Sequence, residues 1–141
     1  MLKELSEIDA ELLADIYNTC FEEKWSTESF RIMLSNPTYF GYKFVNDADE
    51  ICGFILCQLV IDEIEIITFC VAKKFRKQGI GKVLIHKLSD YARSLHACVF
   101  LEVAENNDIA KNIYTAAGYQ KIGLRKNYYN ETNAIVMKLD Q

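Results

Sequence analysis

The chain has 141 residues, half of them hydrophobic, with five cysteines, one proline and a formal charge of −4 at a pI near 5.2. That length suits one domain, residues 1–141, with a proper core, and the apolar content excludes a disordered chain. The acidic balance argues against a general nucleic-acid binder but is compatible with a basic peptide or an amine as substrate. Met1–Leu5 lacks the apolar region of a signal peptide, and no apolar stretch approaches the ~20 residues that cross a bilayer, so a cytoplasmic protein with no membrane partner is expected.

The first third reads as two helices and a strand. Ser6 can cap a helix whose apolar face is Ile8, Leu12, Leu13, Ile16 and Cys20, and Ser26 can cap a second running toward Asn36 and Pro37. The acidic, aromatic link between them, Phe21-Glu22-Glu23-Lys24-Trp25, either forms a lip over a substrate site or has Trp25 staple the second helix to the core. Residues 40–45 and 51–61 flank the turn 46–50 as an antiparallel hairpin, and Ile64 to Val71 adds a further strand. A long helix follows, with Ile80, Val83, Leu84, Leu88, Tyr91 and Leu95 at helical spacing, and then the apolar strand Cys98 to Val103. A helix between two strands makes them a parallel pair joined by a right-handed crossover. A short helix from Asp108 stops at Gly118, and Tyr119–Leu124 and Ala134–Leu139 close the chain as strands. The pattern is α/β with a mixed, mostly antiparallel sheet.

The five cysteines, Cys20, Cys52, Cys57, Cys70 and Cys98, are scattered through apolar segments and read as reduced core residues. His86 and His96 are too far apart for a one-face pair, so no metal is expected.

The most informative segment is the turn Arg76-Lys77-Gln78-Gly79-Ile80-Gly81-Lys82, which joins the third strand to the long helix. Glycines in the first helical turn leave room for an anion at the free N–H groups, where the helix dipole favours negative charge; Arg76, Lys77 and Lys82 add cations. It is neither a Walker loop, which needs four residues between its glycines and a hydroxyl after the lysine, nor a dinucleotide fingerprint, because Leu84 stands where that motif has a third glycine. A short glycine turn can also be a tight connection and nothing more. Glu102 is the one charged residue of its strand; it either points to water at the strand end or is a general base. Tyr114 sits on an apolar helix face, where a tyrosine is usually core.

Arg76-x-x-Gly79-x-Gly81 resembles the acetyl-CoA pyrophosphate loop of the GNAT superfamily of N-acetyltransferases, and Asn107-x-x-Ala110-x-x-x-Tyr114-x-x-x-Gly118-Tyr119 resembles that superfamily's cofactor and tyrosine segment. Leu101-Glu102-Val103, Arg125-Lys126-Asn127-Tyr128-Tyr129 and Trp25-Ser26 with Phe30 are similar to the bacterial ribosomal-protein alanine N-acetyltransferases. The resemblance implies a GNAT-like, seven-stranded sheet flanked by about four helices. It implies acetyl-CoA as co-substrate and direct acetyl transfer to a protein N-terminal α-amine, on a ribosomal protein. It makes Glu102 the proton acceptor and Tyr114 the proton donor, and sets Phe69, Cys70 and Val71 beside pantetheine. Arg76, Lys77, Gln78, Gly79, Ile80, Gly81 and Lys82 would hold the pyrophosphate, with Asn107 on the cofactor. Trp25, Arg125, Tyr128 and Tyr129 would meet the acceptor, although the last three can equally cover a sheet edge. Lys24, Asn133 and the short loop after Tyr129 depart from the family pattern, all near the acceptor. A monomer or weak dimer is expected. The other readings are a lysine or small-amine acetyltransferase and a non-catalytic acetyl-CoA sensor; aminoacyl-tRNA is disfavoured by the acidic charge.

Overall fold

The computed structural model describes residues 1–129 and 132–141. Its strands are β1 (Leu2–Glu4), β2 (Tyr39–Val45), β3 (Ile51–Val60), β4 (Glu63–Val71), β5 (Cys98–Ala104), β6 (Gln120–Tyr129) and β7 (Thr132–Leu139). Its helices are α1 (Ala10–Cys20), α2 (Thr27–Ser35), α3 (Ile80–Leu95) and α4 (Asp108–Ala116). The strands form one sheet in the order β1-β2-β3-β4-β5-β7-β6. Every pairing is antiparallel except that of β4 with β5, the pair the intervening helix predicts. The expected seven-stranded mixed α/β sheet with four helices is therefore the architecture observed.

Alternation along β3 splits the core in two. Ile55 and Cys57 face a cluster with Leu84, Ile85 and Leu88 of α3 and Tyr114 of α4, while Phe54 and Leu56 face one with Leu13 and Tyr17 of α1 and Phe30 of α2. In β4 the alternation slips. Leu56 pairs with Thr68 and Cys57 with Ile66, which leaves Ile67 as an extra residue, a bulge. Before it Ile64 and Ile66 pack toward α3; beyond it Phe69 and Val71 do, and Cys70 turns to the α1–α2 side.

Three expectations change. β1 adds a strand to the expected set: its three residues pair with β2, Leu2 opposite Phe44, and so short a strand has no pattern to read. The apolar face of α1 is Ala10, Leu13, Ala14 and Tyr17, whereas Ile8, in a 3₁₀ turn, and Leu12 are exposed. The buried face of α3 is rotated likewise, taking in Ile85 and Ala92 and leaving Val83 and Leu95 partly in water. Alanines, and in α3 Ile85 as well, fill part of each buried face, a preference that hydrophobic size alone does not reveal.

An ion pair ties the turn before α1 to the sheet. Asp9 closes the 3₁₀ turn before α1 by accepting Ser6 N–H at 3.0 Å, and its other oxygen receives Lys43 Nζ of β2 at 2.6 Å. Both side chains are largely buried, 6% and 15% exposed, so removing one strands the other in poor solvent. Asp9→Ala is expected to lose about 3 kcal/mol in urea unfolding, with Asp9→Ala/Lys43→Met recovering part of that loss.

Candidate active site

The parallel pair β4–β5 is short. Among the described residues it runs from Glu63–Glu65 to Cys98–Phe100, after which β5 stays with β7 while β4 stays with β3 as far as Val71. The two strands therefore part, and a gap opens between them. Ala72 N–H donates to Cys52 O at 2.8 Å. Because antiparallel bonds alternate in direction, the N–H groups of Val71 and Phe69 turn the other way, toward the gap.

A cavity of about 690 Å³ lies along this edge. It brings together Phe69, Cys70, Val71, Arg76, Lys77, Gly79, Ile80, Gly81, Lys82 and Asn107 from the expected set. It adds Phe21, from the link read as a lip, with Cys20 and Phe75, and from α4 Ile109, Ala110 and Ile113, of which Ala110 stands in the cofactor motif. The signal for the last three was their i, i+1, i+4 spacing on the helix that Asn107 caps. Gln78 shares the turn but not the lining.

The two glycines do different things. Gly79 caps α3 with φ +80°, and a Cβ there would meet nothing within 4 Å, so it is needed for backbone conformation and keeps the mouth of the turn open. Gly81 is buried, and its Cβ would come 3.1 Å from the Phe69 ring and 3.3 Å from Ile113 Cδ1. It is there to let α3 close on β4 and α4. Lys77 also has a positive φ, +66°, a conformation costing a non-glycine residue about 1 kcal/mol or more. Left-handed residues at 77 and 79 bend the turn so that backbone N–H groups gather at its concave side, an anion-binding geometry.

Arg76 does not project from this turn as a loose cation. Its Nε donates to Val71 O at 3.0 Å, and Nη2 lies 3.4 Å from Cys20 Sγ. Cys20 ends α1, and its sulfur is also 3.7 Å from Val71 O and 3.8 Å from Thr19 Oγ1. A hydrogen bond from Cys70 is the largest influence on its thiol; burial opposes, and Thr19 and the Arg76 guanidinium help, holding it down to about 5. Asn107 caps α4, its Oδ1 accepting Ala110 N–H at 3.2 Å, so what its side chain can offer a ligand is the amide donor.

Glu102 and Tyr114 lie on opposite faces of the sheet. Val99, Leu101 and Val103 of β5 pack toward α3 and α4, so Glu102 and its alternate neighbours face the other way. Its Oε1 is 2.9 Å from Arg125 Nη2 of β6, and the carboxylate is a quarter exposed. The costly charge in an apolar strand is thus both paired and wetted. Tyr114 is buried in the α3–α4 core with its ring 5.8 Å from that of Phe69. Neither residue lines the 690 Å³ cavity itself. Trp25 is stacked on Tyr17 at 4.5 Å and locked by a reciprocal pair of 2.9 Å bonds with Asn18, so it staples the α1–α2 link. The side chains of Tyr128 and Tyr129 lie outside the described residues. Among the described residues no group of three or more His, Cys, Asp or Glu could hold a metal ion.

A sheet opened at its one parallel pair, facing a glycine-capped helix across an apolar cavity, is the framework of an acyltransferase. The model of the Acetyltransferase (GNAT) family matches residues 10–119, and the chain belongs to that family. It is 31% identical over 150 aligned positions to the [ribosomal protein bS18]-alanine N-acetyltransferase of Haemophilus ducreyi, covering 99% of both chains. The crystal structure of the Escherichia coli ribosomal-protein-S18-alanine N-acetyltransferase superposes with a TM-score of 0.92 at 23% identity, covering 99% of this chain and 92% of that one. That of Arabidopsis thaliana NAA60 in complex with acetyl-CoA gives 0.89 at 18%, covering 99% and 97%.

The environment of Cys20 makes a prediction that needs no ligand. Thiolate absorbance near 240 nm, followed against pH, should show one cysteine titrating near 5. Cys20→Ser should remove that step and leave the others in place.

Proposed function

We propose that the chain, as a single domain over residues 1–141, transfers the acetyl group of acetyl-CoA to the α-amine of a protein N-terminus, an alanine on a ribosomal protein, in the cytoplasm. The observation that carries this reading is the parting of β4 from β5 beside Glu102. It turns backbone amides of β4 toward a gap, and the reading is supported by Glu102 and Tyr114 standing on opposite faces of the same sheet, Tyr114 against the Phe69 ring. The acceptor class rests on the end-to-end likeness to the Haemophilus ducreyi enzyme. No helix among the described residues is long and apolar enough to cross a membrane.

The cavity fits the co-substrate by its donors. A diphosphate suits the concave turn of Lys77, Gly79 and Lys82 at the start of α3, with Arg76 and Gln78 as its flanks. An apolar arm suits Phe69, Ile80, Ile109 and Ile113, with Asn107 as a polar stop. Acetyl-CoA supplies an acetyl thioester there. An extended chain laid along Phe69, Cys70 and Val71 would meet amide groups that no strand uses, the same satisfaction a further strand would give.

An α-amine has a pKa near 7.7–8.0, so much of it is protonated at neutral pH and cannot attack a carbonyl. Glu102 takes up that proton. In the resting arrangement the Arg125 guanidinium occupies one of its oxygens, and an incoming ammonium is the natural competitor for that position. The Val71 N–H, directed at the gap, is placed to stabilise a developing oxyanion. Tyr114 supplies the proton for the departing thiolate. Trp25, Arg125, Tyr128 and Tyr129 are assigned to the acceptor's first residues, Trp25 by holding the α1–α2 wall.

Thiol release from acetyl-CoA is expected with a peptide beginning Ala, and not with the same peptide N-blocked and carrying an internal lysine. Glu102→Gln should lower kcat/KM by about 10²-fold or more, and Tyr114→Phe should lower kcat by about 10²-fold while leaving acetyl-CoA affinity unchanged. Turnover of the blocked peptide alone would move the acceptor to lysine. Acetyl-CoA binding with no turnover of either peptide would make the domain a sensor or a small-amine enzyme.

A further inference from the structure

The end of α1 meets β4 at two sulfurs that acetyl transfer does not use. Cys20 is half-buried at the cavity wall, and Cys70, 5% exposed, lies in the core cluster against which Cys20 packs. The Cys20 sulfur lies 3.7 Å from the carbonyl of Val71, the neighbour of Cys70, and both cysteines line the same cavity. They are fifty positions apart in sequence, so the contact is made entirely by the fold.

The pair is chemically unequal. Arg76 Nη2 stands 3.4 Å from the Cys20 sulfur, and Thr19 Oγ1 is a further polar neighbour at 3.8 Å. Cationic surroundings and access to solvent are what separate a reactive cysteine from an inert one. Burial pushes the Cys70 thiol well above its ordinary range, so of the two it is Cys20, beside the guanidinium, that reacts first. The remaining cysteines have other surroundings: Cys52 and Cys57 are buried, and Cys98 bonds Asp140 at 3.5 Å at the far end of β5.

We propose that Cys20 and Cys70 form a redox-responsive dithiol in the wall of the cavity, with Cys20 attacking a peroxide and Cys70 resolving it. The Cys20 thiolate displaces hydroxide from the peroxide O–O bond and becomes a sulfenic acid. The Cys70 sulfur then attacks that sulfur, its proton leaving with the hydroxyl as water, and a disulfide joins α1 to β4. Two thiols are oxidised by two electrons, and one hydrogen peroxide is reduced to two waters. Arg76 is the positioning residue: it fixes the Cys20 sulfur through Nη2 while Nε holds the Val71 carbonyl.

The test is peptide mapping by mass spectrometry of the full chain after brief treatment with hydrogen peroxide at pH 7, with dimedone present to trap sulfenic acid. The wild type should give a Cys20–Cys70 linked pair, lighter by two hydrogens than the two reduced peptides and reversed by dithiothreitol. Cys20 should disappear about tenfold faster than Cys52, Cys57 or Cys98. Cys70→Ala, checked for folding by its thermal transition, should instead accumulate the dimedone adduct on Cys20. Cys20→Ser should leave Cys70 reduced. A stable dimedone adduct on Cys20 in the wild type, linkage through any other cysteine, or oxidation of Cys20 no faster than the rest would overturn the proposal. The wild-type map decides these points even where a Cys70 variant does not fold.

Discussion

The structure depends on a pairing that stops. β4 and β5 share a ladder over Glu63–Glu65 and Cys98–Phe100, and each then follows a different neighbour. A buried amide without a partner costs about as much as a lost hydrogen bond, so an opened sheet persists where something else can satisfy its edge. The bulge at Ile67 belongs to the same constraint. By adding one residue it exchanges the faces of everything beyond it, which sends Phe69 and Val71 toward α3 and α4 and Cys70 toward α1. Without that slip the phenyl ring would sit on the other face, away from α3.

Phe69 then becomes the hinge of the site's architecture. Its ring lies against Gly81 on one side and the ring of Tyr114 on another. A glycine that reads as phosphate-binding by its position in the turn proves to be a packing glycine, and the tyrosine that reads as catalytic by its spacing is held by the same ring. The turn's openness to an anion comes from Gly79 and from the left-handed Lys77. Recognition of the ligand and closure of the core are thus assigned to neighbouring residues with the same chemistry, which is why their spacing is so restrictive.

Most of the fold could be read from the chain because period and punctuation agree: β-branched runs bounded by turns, helical spacing after Gly79, and a helix between two strands that forces them parallel. What could not be read is what depends on contact between distant segments. The bulge is one extra residue in a run of apolar residues, and Ile67 looks like any other isoleucine. The buried faces of α1 and α3 lie a fraction of a turn from where hydrophobic size sets them, because Ala10, Ala14 and Ala92 contribute fit rather than hydrophobicity. Of the site residues, those in contiguous motifs were legible. The Glu102–Arg125 pair and the Cys20–Arg76 contact, spanning 23 and 56 positions, were not.

Arg76 shows how position in a motif can mislead about function. It is the first residue of the basic turn, yet two of its donor groups are directed backward to Val71 O and Cys20 Sγ. A guanidinium is planar and its donors have fixed directions, so an arginine turned to the strand end in this way presents less to a phosphate than its charge suggests. The Cys20 sulfur, 3.4 Å from Nη2, occupies one direction of that guanidinium. The field at the start of α3 is therefore set by Lys77, Lys82 and the helix amides, with Arg76 acting as a strut that fixes the end of β4. The carbonyl that this strut holds belongs to Val71, whose N–H faces the opened gap, so the last residue of the strand is fixed from the side that no neighbouring strand can reach.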